Sequence, residues 1–348
     1  MSDGSANELD IPKGKQANGH RPVGLLPTIF APSLDAAPAD IGDLPFDVDS
    51  RLAAVVRLTS TIPEDTYSAP LLGTEREGSA ILLDDEGLAL TIGYLVLEAR
   101  TVMLENEHGV PVPAEIVAYD YDTGFGLVRA IEPLGLPVMP VGRSEDLSVQ
   151  DGVLIASFGG RSAAVTAEVV SKRPFAGYWE YMLDEAIFTA PPHPNWGGAA
   201  LIGMDGRLQG LGSLYVEDAR PNAPGSKGNM FVPIDLLRPI FSDLLRHGRT
   251  EGPARPWLGM FTAEAMGQLH VVHLAEGGPA KQSGIQDGDV VLKVAGHLVT
   301  DLIDYYRHVW ALGAAGTPVT LTMLRESTAF EVTVTSANRS DFMRMRER

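Results

Sequence analysis

The chain has 348 residues, 45% of them hydrophobic and none of them cysteine, which allows two or three domains with ordinary apolar cores and excludes disulfides and thiolate metal sites. Its 27 basic and 45 acidic residues give a formal charge of −18, which argues against nucleic acid or an anionic membrane surface as the partner and leaves proteins or peptides. Residues 1–50, rich in Gly, Pro, Ala and Asp, read as a flexible N-terminal segment. Residues 1–21 carry no basic start followed by about 7–15 continuous apolar residues and a small-residue cleavage site. No stretch reaches the roughly 18 apolar residues of a membrane span. These features predict a cytoplasmic chain, with the periplasm as the alternative if the start is misassigned. Leu25, Leu26, Ile29, Phe30 and Phe46 are the apolar residues of this segment able to pack onto another subunit.

From residue 51 the pattern becomes short apolar runs separated by turn signals, the mark of all-β structure. Six runs, at residues 53–59, 78–83, 88–91, 101–104, 114–119 and 125–130, predict a first barrel over residues 51–135, with hairpin turns at Asp84-Asp85-Glu86-Gly87 and Glu107-His108-Gly109. Six more, at residues 153–157, 164–171, 182–188, 199–204, 207–214 and 230–233, predict a second barrel over residues 136–235. Leu236, Leu237, Ile240, Leu244 and His247 then repeat at helical spacing; Asp235 is the expected N-cap, Pro239 falls near the first turn, and Gly248 is the stop. Residues 236–256 are thus a linker helix and hinge.

The stretch Pro194-Asn195-Trp196-Gly197-Gly198-Ala199-Ala200-Leu201 resembles the Gly-Asn-Ser-Gly-Gly-Pro-Leu segment of trypsin-like serine proteases, in particular the HtrA/Deg family. Gly78-Ser79-Ala80-Ile81, Leu90 to Val96 and Asp120 to Leu127 resemble three landmarks of that family's first barrel. Trp257-Leu258-Gly259-Met260, Gly278 to Ile285 and Asp287 to Leu292 resemble the carboxylate-binding loop, short helix and following strand of its PDZ domain, with Asp287 replacing a proline and Ala295-Gly296 replacing an Asn-Gly turn. The resemblance implies a mostly β chain: a trypsin-like double six-stranded β-barrel, a linker helix, a C-terminal α+β PDZ domain over residues 257–337 and a C-terminal tail, residues 338–348. A homo-oligomer, a trimer as in the family, is implied with it.

The same alignment of motifs puts Tyr94 where the family has its catalytic histidine, Gly124 where it has the orienting aspartate and Trp196 where it has the nucleophilic serine. A triad needs a nucleophile, a base and an orienter that converge. Tyrosine, with a free pKa of about 10, is a poor base at neutral pH, and the other two positions offer no replacement chemistry. Gly197 and Gly198 keep the family's glycine loop, read as backbone geometry that the barrel needs. The expected function is therefore a pseudoprotease that binds protein C-termini or extended peptides as a scaffold or adaptor. The resemblance places peptide binding at Trp257, Leu258, Gly259 and Met260, where backbone N–H groups of the Leu258-Gly259-Met260 turn would receive a terminal carboxylate, while Tyr305, Val309 and Leu312 line either the groove or the helix's core face. Two other functions fit the same residues. One is a serine endopeptidase with displaced groups, for which Ser157, Ser162, Ser213 and His193 are the candidates; the other is a chaperone-like holdase using the cleft. His193 with His108 or Asp122 is the one grouping with metal-ligand chemistry, and its unpaired spacing favours a structural histidine, so no metal and no cofactor is expected.

Overall fold

The computed structural model describes residue 41, residues 43–105 and residues 108–343; Leu25, Leu26, Ile29, Phe30 and Glu107 lie outside the described residues. A short helix α1 (Val48–Ala53) leads into β1 (Val55–Thr61), and α2 (Ala69–Leu72) into β2 (Glu75–Leu82), β3 (Leu88–Ile92), β4 (Thr101–Glu105), β5 (Pro111–Tyr119) and β6 (Phe125–Ala130). These strands close a barrel in the order β1-β2-β3-β6-β5-β4. The second barrel comprises β7 (Gly152–Ala156), β8 (Ala164–Gly177), β9 (Tyr181–Ala190), β10 (Ala200–Gly203), β11 (Leu208–Val216) and β12 (Gly228–Pro233), closed in the order β10-β11-β12-β9-β8-β7. Read backwards, this order is the first with six added to every number, so the two barrels share one topology. β3, β11 and β12 are buried at every position, and β3 touches β11 where the barrels meet.

All twelve expected strands form, but β8 and β9 run well beyond the residues whose apolar pattern announced them. The sequence ends the first at Ser171; the structure carries it to Gly177, because Pro174, which has no N–H, falls in a register slip between Arg173 and Phe175 instead of stopping the strand. The result is a two-stranded arm ending in the turn Tyr178-Trp179-Glu180.

The linker departs from expectation at Pro239. A helix starting at Asp235 would need an N–H at position 239, which proline lacks. The segment is instead a 3-10 turn, Ile234–Leu236, followed by α3 (Phe241–His247), which Gly248 ends at φ 71 as expected. Asp235 caps no helix: its carboxylate accepts from the Ser144 hydroxyl at 2.9 Å and the Glu145 N–H at 2.8 Å, fastening the linker to the start of the second barrel.

The C-terminal domain holds β13 (Met260–Ala265), β14 (Gln268–Leu274), α4 (Pro279–Gln282), β15 (Val290–Val294), β16 (His297–Leu298), α5 (Leu302–Ala311), β17 (Pro318–Arg325) and β18 (Thr328–Thr335). Its sheet runs β13-β14-β15-β17-β18, with β16 paired to β15. β18 escaped the sequence reading, which closed the sheet at residues 318–325; it is an edge strand with one buried residue, although Phe330, Val332 and Val334 alternate with polar residues along it. Asp301 caps α5 by accepting from Asp304 N–H at 2.8 Å.

Neither flank is loose where it is described. Phe46 packs in cis beside Gly206 on the second barrel's surface, a position taken up within its own chain. At the other end a 3-10 turn, Arg339–Phe342, sets the Phe342 ring 4.7 Å from that of Trp257 and the Arg339 guanidinium 5.0 Å from the Tyr121 ring.

Candidate functional site

The cleft between the barrels receives Tyr94 from the 3-10 turn after β3, Gly124 from the turn before β6, and Trp196 from the loop before β10. Trp196 is 1% exposed and its ring centre lies 5.8 Å from that of Tyr215. Its indole N–H, a donor only, hydrogen-bonds the Tyr94 hydroxyl, which in turn donates to Ser213 O at 2.9 Å. Burial raises the Tyr94 pKa, with the indole hydrogen bond opposing. The phenol therefore stays protonated at any physiological pH and serves as a tie between barrels.

Gly124 faces the same closed geometry. A Cβ there would lie 3.3 Å from the Tyr181 hydroxyl, which spans the cleft to donate to Thr123 O at 2.8 Å. The loop glycines are likewise used as backbone. Gly197 O accepts from Ser79 N–H of β2 at 2.8 Å, and Gly198 N–H donates to Gly212 O of β11 at 2.9 Å. Gly198 sits at φ +73 with the Ser79 carbonyl where a side chain would start, so only glycine fits. A cavity of about 1670 Å³ that reaches to the linker and the C-terminal domain shares Tyr119, Tyr121, Tyr181 and Arg339 with the one beside Tyr94 and Gly124, which has about 110 Å³ among Tyr67, Tyr94, Tyr119, Tyr181, Ser213 and Arg339. At about 30 Å³ per water, the smaller volume holds a few solvent molecules and not a stretch of polypeptide.

The alternative catalytic residues do not form a working pair. His193 is 1% exposed. Asn195 N–H donates to its Nδ1 at 3.0 Å, which leaves the proton on Nε2 to be donated to Ala163 O at 3.1 Å. Burial lowers its pKa, against those two backbone hydrogen bonds, so the ring is neutral with both nitrogens engaged. Ser157 is fully buried, the Ser162 hydroxyl donates to Gly159 O at 3.0 Å, and Ser213 is bound through its carbonyl to Tyr94. Asp122 is ion-paired with Arg255 at 3.2 Å, and among the described residues no group of three or more metal-ligating side chains converges.

In the C-terminal domain, Leu258, Gly259 and Met260 do turn their N–H groups to one point, and that point is the carboxylate of Glu180 at the tip of the β8–β9 arm. Burial pushes this carboxyl up to about 7, while the three N–H donors and the Arg339 charge pull it down. Trp257 is placed differently from expectation: its N–H and C=O pair with Ala337, and its ring is buried. Tyr305 and Val309 are each 1% exposed and lie in the domain's apolar cluster, which Met182 of the arm also joins. Tyr306, one residue on and about 100° round the helix, is the residue that reaches the arm. Sequence reasoning missed Glu180, Tyr178, Tyr306 and Arg339; the available signal was the aromatic and acidic turn Tyr178-Trp179-Glu180 between two strands.

The model of the trypsin-like peptidase domain matches residues 78–211 and that of the PDZ domain residues 256–335. A probable periplasmic serine endoprotease, DegP-like, of Pseudomonas fulva (strain 12-X) is 26% identical over 288 residues, 76% of this chain and 57% of that protein. A protein of the same description from Chlamydia pneumoniae is 24% identical over 287 residues, 76% of this chain and 56% of its own length. The chain thus spans little more than half the length of these curated relatives. Among solved structures, an HtrA-type protease AlgW with decapeptide superposes with a TM-score of 0.51 at 20% identity, covering 84% of this chain and 97% of that one, a likeness of fold.

Proposed function

Because the chain belongs to the HtrA/Deg family, with a trypsin-like peptidase domain followed by a PDZ domain, we propose that it is a catalytically inactive member that binds polypeptide C-termini as a scaffold or adaptor. The observation that carries this reading is the bonded pair Trp196–Tyr94, tied to the Ser213 carbonyl, which fills the cleft with an indole and a phenol unable to act as nucleophile or base. The retained binding function is supported by the three N–H groups of the 258–260 loop, which hold a carboxylate already. A displaced serine peptidase would need a hydroxyl beside a free base, and His193 is engaged on both nitrogens. A homo-oligomer in the family's manner is part of the same proposal. The relatives are named periplasmic, so they favour the periplasmic alternative over the cytoplasmic expectation.

The test is a titration of the full chain with peptides that end in a free carboxylate after an apolar residue. Converting the terminus to an amide is expected to weaken binding at least tenfold, about 1.4 kcal/mol, since an amide nitrogen presented to three N–H donors repels where an oxygen accepted. Equal affinities for acid and amide would remove carboxylate capture from the function.

A further inference from the structure

The PDZ groove is filled from within the chain. Leu258 N–H donates to one Glu180 carboxylate oxygen at 2.9 Å and Met260 N–H to the other at 2.8 Å, with Gly259 N–H contributing as well. Two residues along β13, Thr262 N–H donates to Tyr178 O at 2.9 Å. The Thr262–Tyr178 bond is a backbone contact of the kind an added strand makes on a sheet edge, and the Glu180 side chain reaches the loop at the end of the same strand. On the helix side, the Tyr306 hydroxyl donates to Gly177 O at 2.7 Å and accepts from Glu180 N–H at 3.1 Å. Met182, at the start of β9, is 7% exposed and counts among the side chains of the PDZ core.

The backbone of the turn adds a second, independent sign. Three residues join β8 to β9, and Glu180 occupies the left-handed position at φ 57, where such turns favour glycine or asparagine. Glutamate there costs the hairpin local stability, and its carboxylate is the part of the turn that reaches the loop.

We propose that the turn at residues 177–180 is an internal ligand of the PDZ groove, with the Glu180 side-chain carboxylate standing in for a chain terminus, so that an outside C-terminal peptide binds only by displacing the arm. This deepens the carboxylate-capture reading above and rests on it. A tethered ligand acts at an effective concentration on the order of millimolar, and an outside peptide then sees only the undocked fraction of molecules. The groups facing Glu180 are Arg339 from the C-terminal turn, Tyr305 and Tyr306 from α5, and Tyr67, with Glu264 of β13 facing Tyr306. Burial holds all three phenols protonated, leaving Glu180 itself to titrate near neutrality. Its docked pKa of about 7 exceeds that of a free carboxyl, so protonation favours docking; this contribution is complete below the free value and is lost as pH rises through about 7.

The experiment uses the full chain, its Glu180→Gln variant and its Glu180→Gly variant, the last of which relieves the turn while removing the carboxylate. Amide hydrogen exchange is read at Leu258, Met260 and Thr262, and the binding probe is a fluorescein-labelled decapeptide ending Gly-Tyr-Trp-Val with a free carboxylate. Expected are protected amides in the wild type and in Glu180→Gln, whose neutral side chain stands in for the protonated carboxyl, and, in Glu180→Gly, exchange at least tenfold faster and probe affinity at least tenfold higher than in the wild type. The wild type should also bind the probe more tightly at pH 8 than at pH 5.5, whereas Glu180→Gln should bind alike at both. Fast exchange of all three amides in the wild type, or equal probe affinity in all three proteins, overturns the internal ligand and leaves carboxylate capture standing. Fast exchange in Glu180→Gly without probe binding upholds the docked arm and overturns outside-peptide capture, and displacement with it.

Discussion

Replacing Trp196 by alanine is expected to destabilise the full chain by about 3–5 kcal/mol. The side chain is 1% exposed and lies between the barrels, so its removal leaves a void lined by both. Apolar transfer accounts for about 2–3 kcal/mol of the loss; the remainder comes from the void and from the Tyr94 hydroxyl losing the indole donor while staying buried. Trp196→Phe keeps most of the ring and drops only the N–H, for an expected cost of about 1–2 kcal/mol. Urea denaturation followed by far-ultraviolet circular dichroism ranks the three proteins without relying on the fluorescence of the residue being replaced. A cost below about 1 kcal/mol for alanine, within the ordinary spread of point substitutions, would mean that the cleft is not held shut by the indole.

The barrels were legible because their strands carry apolar runs bounded by glycine and acidic turns, and because a barrel's order follows from hairpins between neighbours. Tyr94, Gly124 and Trp196 sit in short motifs that assign their places from the sequence alone, and the structure brings Tyr94 beside both of the others. The docked arm was not. Leu258 and Glu180 are 78 residues apart, and no local pattern links a hairpin tip to a loop of another domain. Pro174 made matters worse by resembling a strand end, when it marks a slip inside a strand that continues. On α5 the period selected Tyr305 and Val309 correctly as an apolar stripe; periodicity alone does not tell which side of a helix faces its own core and which faces a neighbour. Asp235 failed as a cap for a reason already present in the chain, the proline four residues later.

Fluorophosphonate labelling and casein hydrolysis are expected at background for the wild-type chain and for Trp196→Ser alone. Nucleophile and base act as a unit, so one restored member recovers almost nothing. In this cleft the new hydroxyl would meet the Tyr94 phenol, whose proton burial retains and which already donates to Ser213 O. Adding Tyr94→His and Gly124→Asp restores the residue types but not the space. An aspartate at φ +81 is tolerable for its backbone, yet its Cβ would lie 3.3 Å from the Tyr181 hydroxyl, in the direction the carboxylate must take. The triple variant is therefore expected to label slowly, and a fourth change, Tyr181→Phe, to label faster by removing the atom in the way. Hydrolysis by purified wild-type protein that disappears on mutating Ser157, Ser162, Ser213 or His193 would overturn the inactive reading. Slow labelling by the triple variant that Tyr181→Phe does not improve would instead place the obstruction elsewhere in the closed cleft, with the indole-filled loop before β10 as the next segment to open.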